Sequence, residues 1–136
     1  QSCIRLSTLS GNAADPGPCL SLSPLAHMMI PKSDAELAFA GAVVEAFLGT
    51  GFQRESWAWI GAVREKNGKW RWRAKGSLLD IDVSAAPLIA EASFAIGAST
   101  QSARHGCAFV GQTDGGRLGA QDCAARLKHV CAYECV

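Results

Sequence analysis

The sequence has no hydrophobic run long enough to cross a bilayer. Its longest apolar stretch, residues 37–48, is interrupted by Glu45 and falls short of the ~20 residues that a spanning helix needs. Charged residues make up only 18% of the chain and the formal net charge is +1, so overall charge selects no class of partner. Hydrophobic residues, at 49%, predict one domain, residues 1–136, with a core of its own.

The sequence also lacks a glycosylation site and a recognisable catalytic set. Neither Asn12 nor Asn67 begins an Asn-x-Ser/Thr motif. The three histidines, His27, His105 and His129, are scattered, and no nucleophile, base and orienting group stand at a useful spacing. We therefore expect a protein that is not an enzyme and that needs no cofactor.

Cysteines are the sharpest positive constraint. No Cys-x-x-Cys pair occurs, and the group His129, Cys131 and Cys135 fits no standard zinc finger, so disulfides are favoured over a metal site. The sequence alone leaves the pairing open. The start Gln1–Ser2, without Met, leads us to expect a processed, secreted, extracellular protein. The six cysteines are Cys3, Cys19, Cys107, Cys123, Cys131 and Cys135.

The clearest helix signal covers residues 33–48. Ser33 and Glu36 have the spacing of a capping box, and Gly49 is a natural stop. The apolar residues that recur at helical spacing and are predicted to face the core are Leu37, Ala40, Val44, Phe47 and Leu48.

All four tryptophans lie close together around a predicted hairpin. Asn67-Gly68 is a tight-turn dipeptide, since both residue types tolerate positive φ, and its apolar flanks read as strands. In Trp70-Arg71-Trp72-Arg73 the period of a strand places the indoles on one face and the guanidinium groups on the other. Trp57 shares the face of Trp59, and we expect it in the core rather than as a sugar-stacking platform.

The rest of the chain favours short strands. Residues 3–6 form a candidate edge strand, residues 107–110 and 127–135 are later strand candidates, and residues 78–96 look extended as far as Pro87. The Pro- and Gly-rich approach to Cys19 opposes a long helix there. The fold class is therefore predicted to be α+β.

Together these motifs resemble the C-type lectin-like domain. The resemblance rests on Trp59-Ile60-Gly61-Ala62, on the Trp70-x-Trp72 pair and on the cysteine order, and it covers residues 19–135, with Ala62 where the family usually has Leu. It implies one or two helices packed on short antiparallel strands, with a long loop region. It also implies the disulfides Cys19–Cys131 and Cys107–Cys123. The family fold brings its first and last strands together, so we expect Cys3–Cys135, with a bond to another chain as the alternative.

The resemblance raises the question of calcium, which many members bind with two short motifs. Pro87 stands where the first motif has its proline, but the residues that flank it are Ala86 and Leu88. Residues 118–120 (Leu-Gly-Ala) stand where the second motif has Trp-Asn-Asp. None offers the side-chain oxygens that calcium needs, so we expect no metal at the usual site. The acids that could build another cation site, but that we expect to be solvated or salt-bridged, are Asp80, Asp82, Glu91, Asp114 and Asp122.

A basic cluster on the hairpin is the best remaining binding signal. Guanidinium forks suit sulfate, phosphate or carboxylate groups, although an ordinary solvated strand face would look the same. Glu65 is the one acid in the cluster, and nucleic acid is disfavoured as a ligand for a disulfide-bonded extracellular domain. The candidate ligand-binding residues are Arg64, Lys66, Lys69, Arg71, Arg73 and Lys75.

Three functions follow, in this order. The first is a binding module for a glycan, with an anionic glycan as one candidate, that does not use the usual calcium site. The second is a protein–protein interaction domain, as a monomer or a homodimer. The third is adsorption to ice or mineral, which ranks last because residues 99–102 (Ser-Thr-Gln-Ser) are too few for a regular array. Fold alone does not choose among them.

Overall fold

The computed structural model describes residues 2–49, 53–73, 88–95, 97–100, 104–111 and 117–135. Within these residues the architecture is α+β, as the sequence predicts. The strands are β1 (Ser2–Gly11), β2 (His27–Met28), β3 (Ala58–Arg64), β4 (Trp70–Trp72), β5 (Cys107–Val110), β6 (Gly119–Gln121) and β7 (Leu127–Glu134). The helices are α1 (Gly17–Leu20) and α2 (Asp34–Leu48), with 3₁₀ turns at Arg54–Ser56, Glu91–Ser93 and Ala98–Thr100.

The strands form one sheet in the order β1-β7-β3-β5-β6, with β2 added to β7 and β4 added to β3. β3 and β7 run parallel, and the other pairs are antiparallel. β1 lies at an edge, as predicted, but it extends well beyond residues 3–6 because it pairs along most of β7. The first and last strands are therefore neighbours, and Cys3 lies opposite Tyr133.

Local chemistry explains where α2 begins and ends. The Ser33 hydroxyl accepts a hydrogen bond from the Glu36 amide (3.2 Å), and the Glu36 carboxylate accepts one from the Lys32 amide (3.1 Å). Gly49 ends the helix with φ +80°, a conformation that favours glycine. The capping signal in the sequence is confirmed, and the helix lies within one residue of its predicted bounds.

The predicted core stripe of α2 is wrong at Phe47. Leu37, Ala40 and Val44 are buried and Leu48 is partly buried, but the Phe47 side chain is 74% exposed. In the last turn Leu48 takes the core-facing position, and Phe47 falls on the flank. Because α2 is apolar around most of its circumference, helical spacing alone does not identify its buried face.

Two hydrophobic clusters lie on opposite faces of β3. Ile60 and Ala62 join the cluster beneath α2, whereas Trp59 and Val63 join the other. The four indoles divide accordingly: Trp70 and Trp72 contact the α2 cluster, while Trp57 and Trp59 lie with Phe109. The Trp57 and Phe109 rings stack with centroids 4.1 Å apart, as expected of a core residue.

Three disulfides join pairs of residues that lie 132, 112 and 16 positions apart in the sequence. Their Cα–Cα separations are 5.6 Å for Cys3–Cys135, 5.5 Å for Cys19–Cys131 and 5.1 Å for Cys107–Cys123. These are the pairs that the resemblance implies. Among the described helices, none has the length and apolar character that crossing a membrane requires.

His129 is a buried polar residue in β7. Its backbone amide donates to the Ser7 hydroxyl (2.8 Å), and its ring Nε2 lies 3.1 Å from the Asn12 carbonyl. Burial lowers the pKa of His129 below its ordinary value of 6.5, although the carbonyls of Gly11 and Asn12 oppose the shift. The neutral imidazole is therefore the form that the fold favours.

Candidate functional site

The hairpin between β3 and β4 is closed by a loop rather than by a two-residue turn. The Glu65 amide donates to the Lys69 carbonyl (2.8 Å), and the Gly68 amide donates to the Glu65 carbonyl (2.9 Å). Gly68 has positive φ, at +84°, and Asn67 does not use the positive φ that its residue type tolerates. Asn67 instead accepts from the Lys69 amide through its side chain (3.0 Å).

The two faces of β4 differ as the alternation predicts. Trp70 is 5% exposed and its indole donates to the Ser99 carbonyl (3.1 Å), while Trp72 packs against the α2 cluster. Arg71 and Arg73 are half-buried on the other face, where Arg71 lies opposite Val63 of β3. The packed indoles thus fix the strand from which Arg71 projects and after which Arg73 follows.

Arg71 is engaged by an acid within the hairpin. Its Nε donates to Glu65 Oε1 at 2.5 Å, and both side chains are partly exposed. Because a guanidinium that holds a carboxylate has fewer donors for an incoming anion, Arg71 contributes less to a binding site than its position suggests.

Sheet pairing brings a distant arginine to the hairpin. Val63 lies opposite Cys107, and the Arg64 amide donates to the Gly106 carbonyl at 2.9 Å. The segment that enters β5 therefore runs beside the end of β3, and Arg104 arrives next to the basic residues of the hairpin.

A cleft of about 500 Å³ opens between these segments. Val63, Gly106 and Cys123 also line it, and Glu65, the partner of Arg71, is the one acid among the described residues of its lining. Its volume falls within the roughly 300–1,000 Å³ that ligand sites occupy. We call it the cationic cleft after the four side chains that give it its charge, Arg64, Lys66, Arg73 and Arg104.

The structure divides the predicted basic cluster. Arg64, Lys66 and Arg73 line the cationic cleft; Arg71 pairs with Glu65; Lys69 lines a separate cavity beside the hairpin. Lys75 lies outside the described residues. The sequence does not single out Arg104, because it is isolated in a run of small residues and its place depends on the β3–β5 pairing.

The residues at the usual calcium positions do not fit the ion. Leu118, Gly119 and Ala120 are buried apolar positions, and a Cβ on Gly119 would collide with the Phe109 ring. Leu88 is apolar, and Ala86 and Pro87 lie outside the described residues. The described part of the chain holds no group of three His, Cys, Asp or Glu side chains placed to bind a metal.

Two of the five acids considered for another cation site, Glu91 and Asp122, lie in the described part of the chain. The Glu91 carboxylate accepts from the Ser99 hydroxyl, and Asp122 accepts from the Ala124 amide at 2.9 Å. Both acids thus make local hydrogen bonds. The other three, Asp80, Asp82 and Asp114, lie outside the described residues.

Comparisons with known proteins identify the fold of the chain. No protein-family model matches the sequence, and no curated protein matches it. Among solved structures, human lithostathine matches with a TM-score of 0.67 and 20% identity, over 98% of this chain and 92% of that one. The C-type lectin CEL-I from Cucumaria echinata matches at 0.61 and 20%, over 96% and 89%. Herring type II antifreeze protein matches at 0.58 and 16%, over 99% and 92%. The chain therefore has the C-type lectin-like fold that its tryptophan and cysteine motifs indicate.

Proposed function

We propose that residues 1–136 form a secreted, non-catalytic binding module that recognises an anionic glycan in the cationic cleft, without calcium at the usual site. A glycan is the favoured ligand class because CEL-I, on the same fold, is a lectin. The three disulfides agree with an extracellular setting.

One observation carries the proposal: four cationic side chains from three separate segments converge on one concave site. Arg64 and Lys66 come from the end of β3 and its loop, Arg73 follows β4, and Arg104 precedes β5. A solvated strand face would expose its charges to bulk water, whereas a cleft surrounds a ligand with several donors at once. Arginine forks match the oxygens of sulfate and carboxylate groups.

Heparin-affinity chromatography in chelator tests the proposal. We expect Arg73→Ala/Arg104→Ala to elute at clearly lower salt than the wild type, with a dissociation constant raised about tenfold or more, because charge-assisted hydrogen bonds are lost. The matched control is Arg5→Ala/Arg54→Ala, which removes two exposed arginines elsewhere. Equal loss in both variants would mean that only overall charge matters and would refute the cleft as the site.

A second candidate function is protein–protein interaction, favoured by the outer face of α2. Phe39 and Phe47 are 52% and 74% exposed there, although large aromatic side chains usually lie buried. The residues between them on this face are mostly alanines. Analytical ultracentrifugation over a wide concentration range tests self-association; loss of a dimer in Phe47→Ser would assign the contact to α2.

Adsorption to ice or mineral remains third. The antifreeze protein from herring shares the fold. However, Ser99 is only 4% exposed and donates to Glu91, so it does not offer its hydroxyl to an external surface. Within residues 99–102 the Thr100 side chain is exposed, and residues 101–102 lie outside the described part of the chain.

A further inference from the structure

A second cavity lies beside the hairpin loop. Its volume is about 320 Å³, and Arg64 lines it as well as the cationic cleft. The Arg64 guanidinium lies beside the loop glycine, since its Nη2 is 3.8 Å from the Cβ position of Gly68. We call this space the hairpin cavity; its further lining includes Lys69, Trp70, Leu88, Ile89, Glu91 and Thr100.

The hairpin cavity is held in place by β4. The Ile89 amide donates to the Trp70 carbonyl at 2.9 Å, and Leu88 pairs with Arg71, so residues 88–89 run alongside the strand. From the opposite side, the Trp70 indole donates to the Ser99 carbonyl at 3.1 Å. The carbonyl and the buried indole of Trp70 therefore hold both of these walls of the cavity to β4.

The two cavities differ in chemistry. Among the described residues, four cations and one acid line the cationic cleft, whereas two cations and one acid line the hairpin cavity together with apolar side chains. Leu88 and Ile89 supply the apolar surface, and the Thr100 hydroxyl and the Glu91 carboxylate supply polar atoms. An apolar wall with a few polar groups suits a neutral sugar ring, which has both C–H faces and hydroxyls. Because its described lining has a smaller excess of cations than that of the cleft, the hairpin cavity attracts a second sulfate less strongly.

We propose that the two cavities are adjoining subsites for one glycan chain. A sulfated or carboxylated residue lies in the cationic cleft, and an uncharged residue of the same chain lies in the hairpin cavity. Arg64, which lines both, contacts the ligand at the junction. This inference rests on the proposed function and adds that the ligand is an oligosaccharide in which charged and uncharged residues are neighbours.

Calorimetric titration with two sulfated ligands that differ by one uncharged sugar tests the inference. N-acetylglucosamine 6-sulfate and the disaccharide that adds an uncharged galactose to it are titrated in chelator into the wild type and into Leu88→Ala/Thr100→Val. We expect the wild type to bind the disaccharide about tenfold more tightly than the monosaccharide, because contacts in the second subsite add to the first. The variant should bind the monosaccharide like the wild type and lose this gain.

A matched control and two further outcomes complete the test. Leu25→Ala/Thr8→Val removes an exposed leucine and an exposed threonine elsewhere and should keep the full gain. A gain that survives in Leu88→Ala/Thr100→Val would come from contacts outside the hairpin cavity and would overturn the second subsite. If neither ligand binds, or if Arg73→Ala/Arg104→Ala binds both ligands like the wild type, the proposed function itself fails and the subsite fails with it.

Discussion

Arg71 and Glu65 form an ion pair, with Nε and Oε1 2.5 Å apart, at the base of the loop that joins β3 and β4. The pair divides the arginines of one strand face into two kinds. Arg71 is held by an acid of its own hairpin, whereas Arg73 lines a cleft with three other cations. Counting charges along the sequence overlooks this difference, because the position of Glu65 decides which arginine is engaged.

Replacing Glu65 with Gln should strengthen binding of sulfated glycans. The change removes an acid from the lining of the cleft, the one acid that the described part of the chain places there, and releases the Arg71 guanidinium from its carboxylate partner. We expect the dissociation constant for heparin to fall by about threefold to tenfold, which corresponds to the worth of one added favourable charge contact near the surface. Calorimetry at fixed ionic strength measures the change.

The control for this variant is Glu55→Gln, which neutralises an exposed acid in the 3₁₀ turn at Arg54–Ser56 and should alter affinity much less. An equal gain in both variants would show that net charge alone governs binding. Unchanged affinity in Glu65→Gln would contradict the assigned role of the ion pair.

Calcium should affect neither stability nor glycan binding. The positions that would supply ligands include Leu118, Gly119 and Ala120, which are buried and offer no side-chain oxygen. We expect the melting temperature and the heparin affinity to be the same in millimolar calcium and in chelator, since a ligand that does not bind the native state cannot stabilise it. A calcium-dependent rise in melting temperature would reveal a site that includes other residues.

Stability should fall as the pH drops below about 6.5, in part because of His129. Burial lowers its pKa in the folded chain, so the unfolded chain takes up the proton first as the pH falls. Its contribution to the free energy of unfolding is therefore complete above 6.5 and is lost progressively as the pH falls toward the folded-state pKa.

Urea unfolding of His129→Gln across the pH range isolates this contribution. The variant should lose stability less steeply between neutral and mildly acidic pH than the wild type does. Parallel profiles for His129→Gln and the wild type would show that protonation of His129 does not contribute.

Removing the cap of α2 should destabilise the fold modestly. The Ser33 hydroxyl accepts from the Glu36 amide at 3.2 Å, and Ser33→Ala leaves that amide to water. We expect a loss of about 1 kcal/mol in urea unfolding, which is typical of a helix N-cap. Ser10→Ala, at an exposed position of β1, is the control and should change stability by less than about half of that.

The sequence predicts local structure best where neighbouring residues determine it. Ser33, Glu36 and Gly49 mark the ends of α2 through contacts within a few residues, and the Trp70–Arg73 alternation specifies two strand faces through period two. The prediction that Phe47 faces the core is wrong, because an apolar helix has no polar face to orient it. Its orientation is set by packing against the sheet, which is a tertiary effect.

The candidate site is predictable in part for the same reason. The hairpin residues are adjacent along the chain, so their basic cluster is visible in the sequence itself. Arg104 joins them only through the pairing of Val63 with Cys107, and Glu65 binds Arg71 only through the geometry of a loop. Both effects depend on contacts between segments, and no local motif encodes them.

The most direct test of the cationic cleft is an NMR titration of the protein with a sulfated tetrasaccharide in chelator. Arginine side-chain Nε–H signals report on each guanidinium group separately. We expect saturable shifts at Arg64, Arg73 and Arg104, with little change at Arg5 and Arg54. Shifts of similar size at all arginines, or shifts confined to residues of α2, would contradict binding in the cleft.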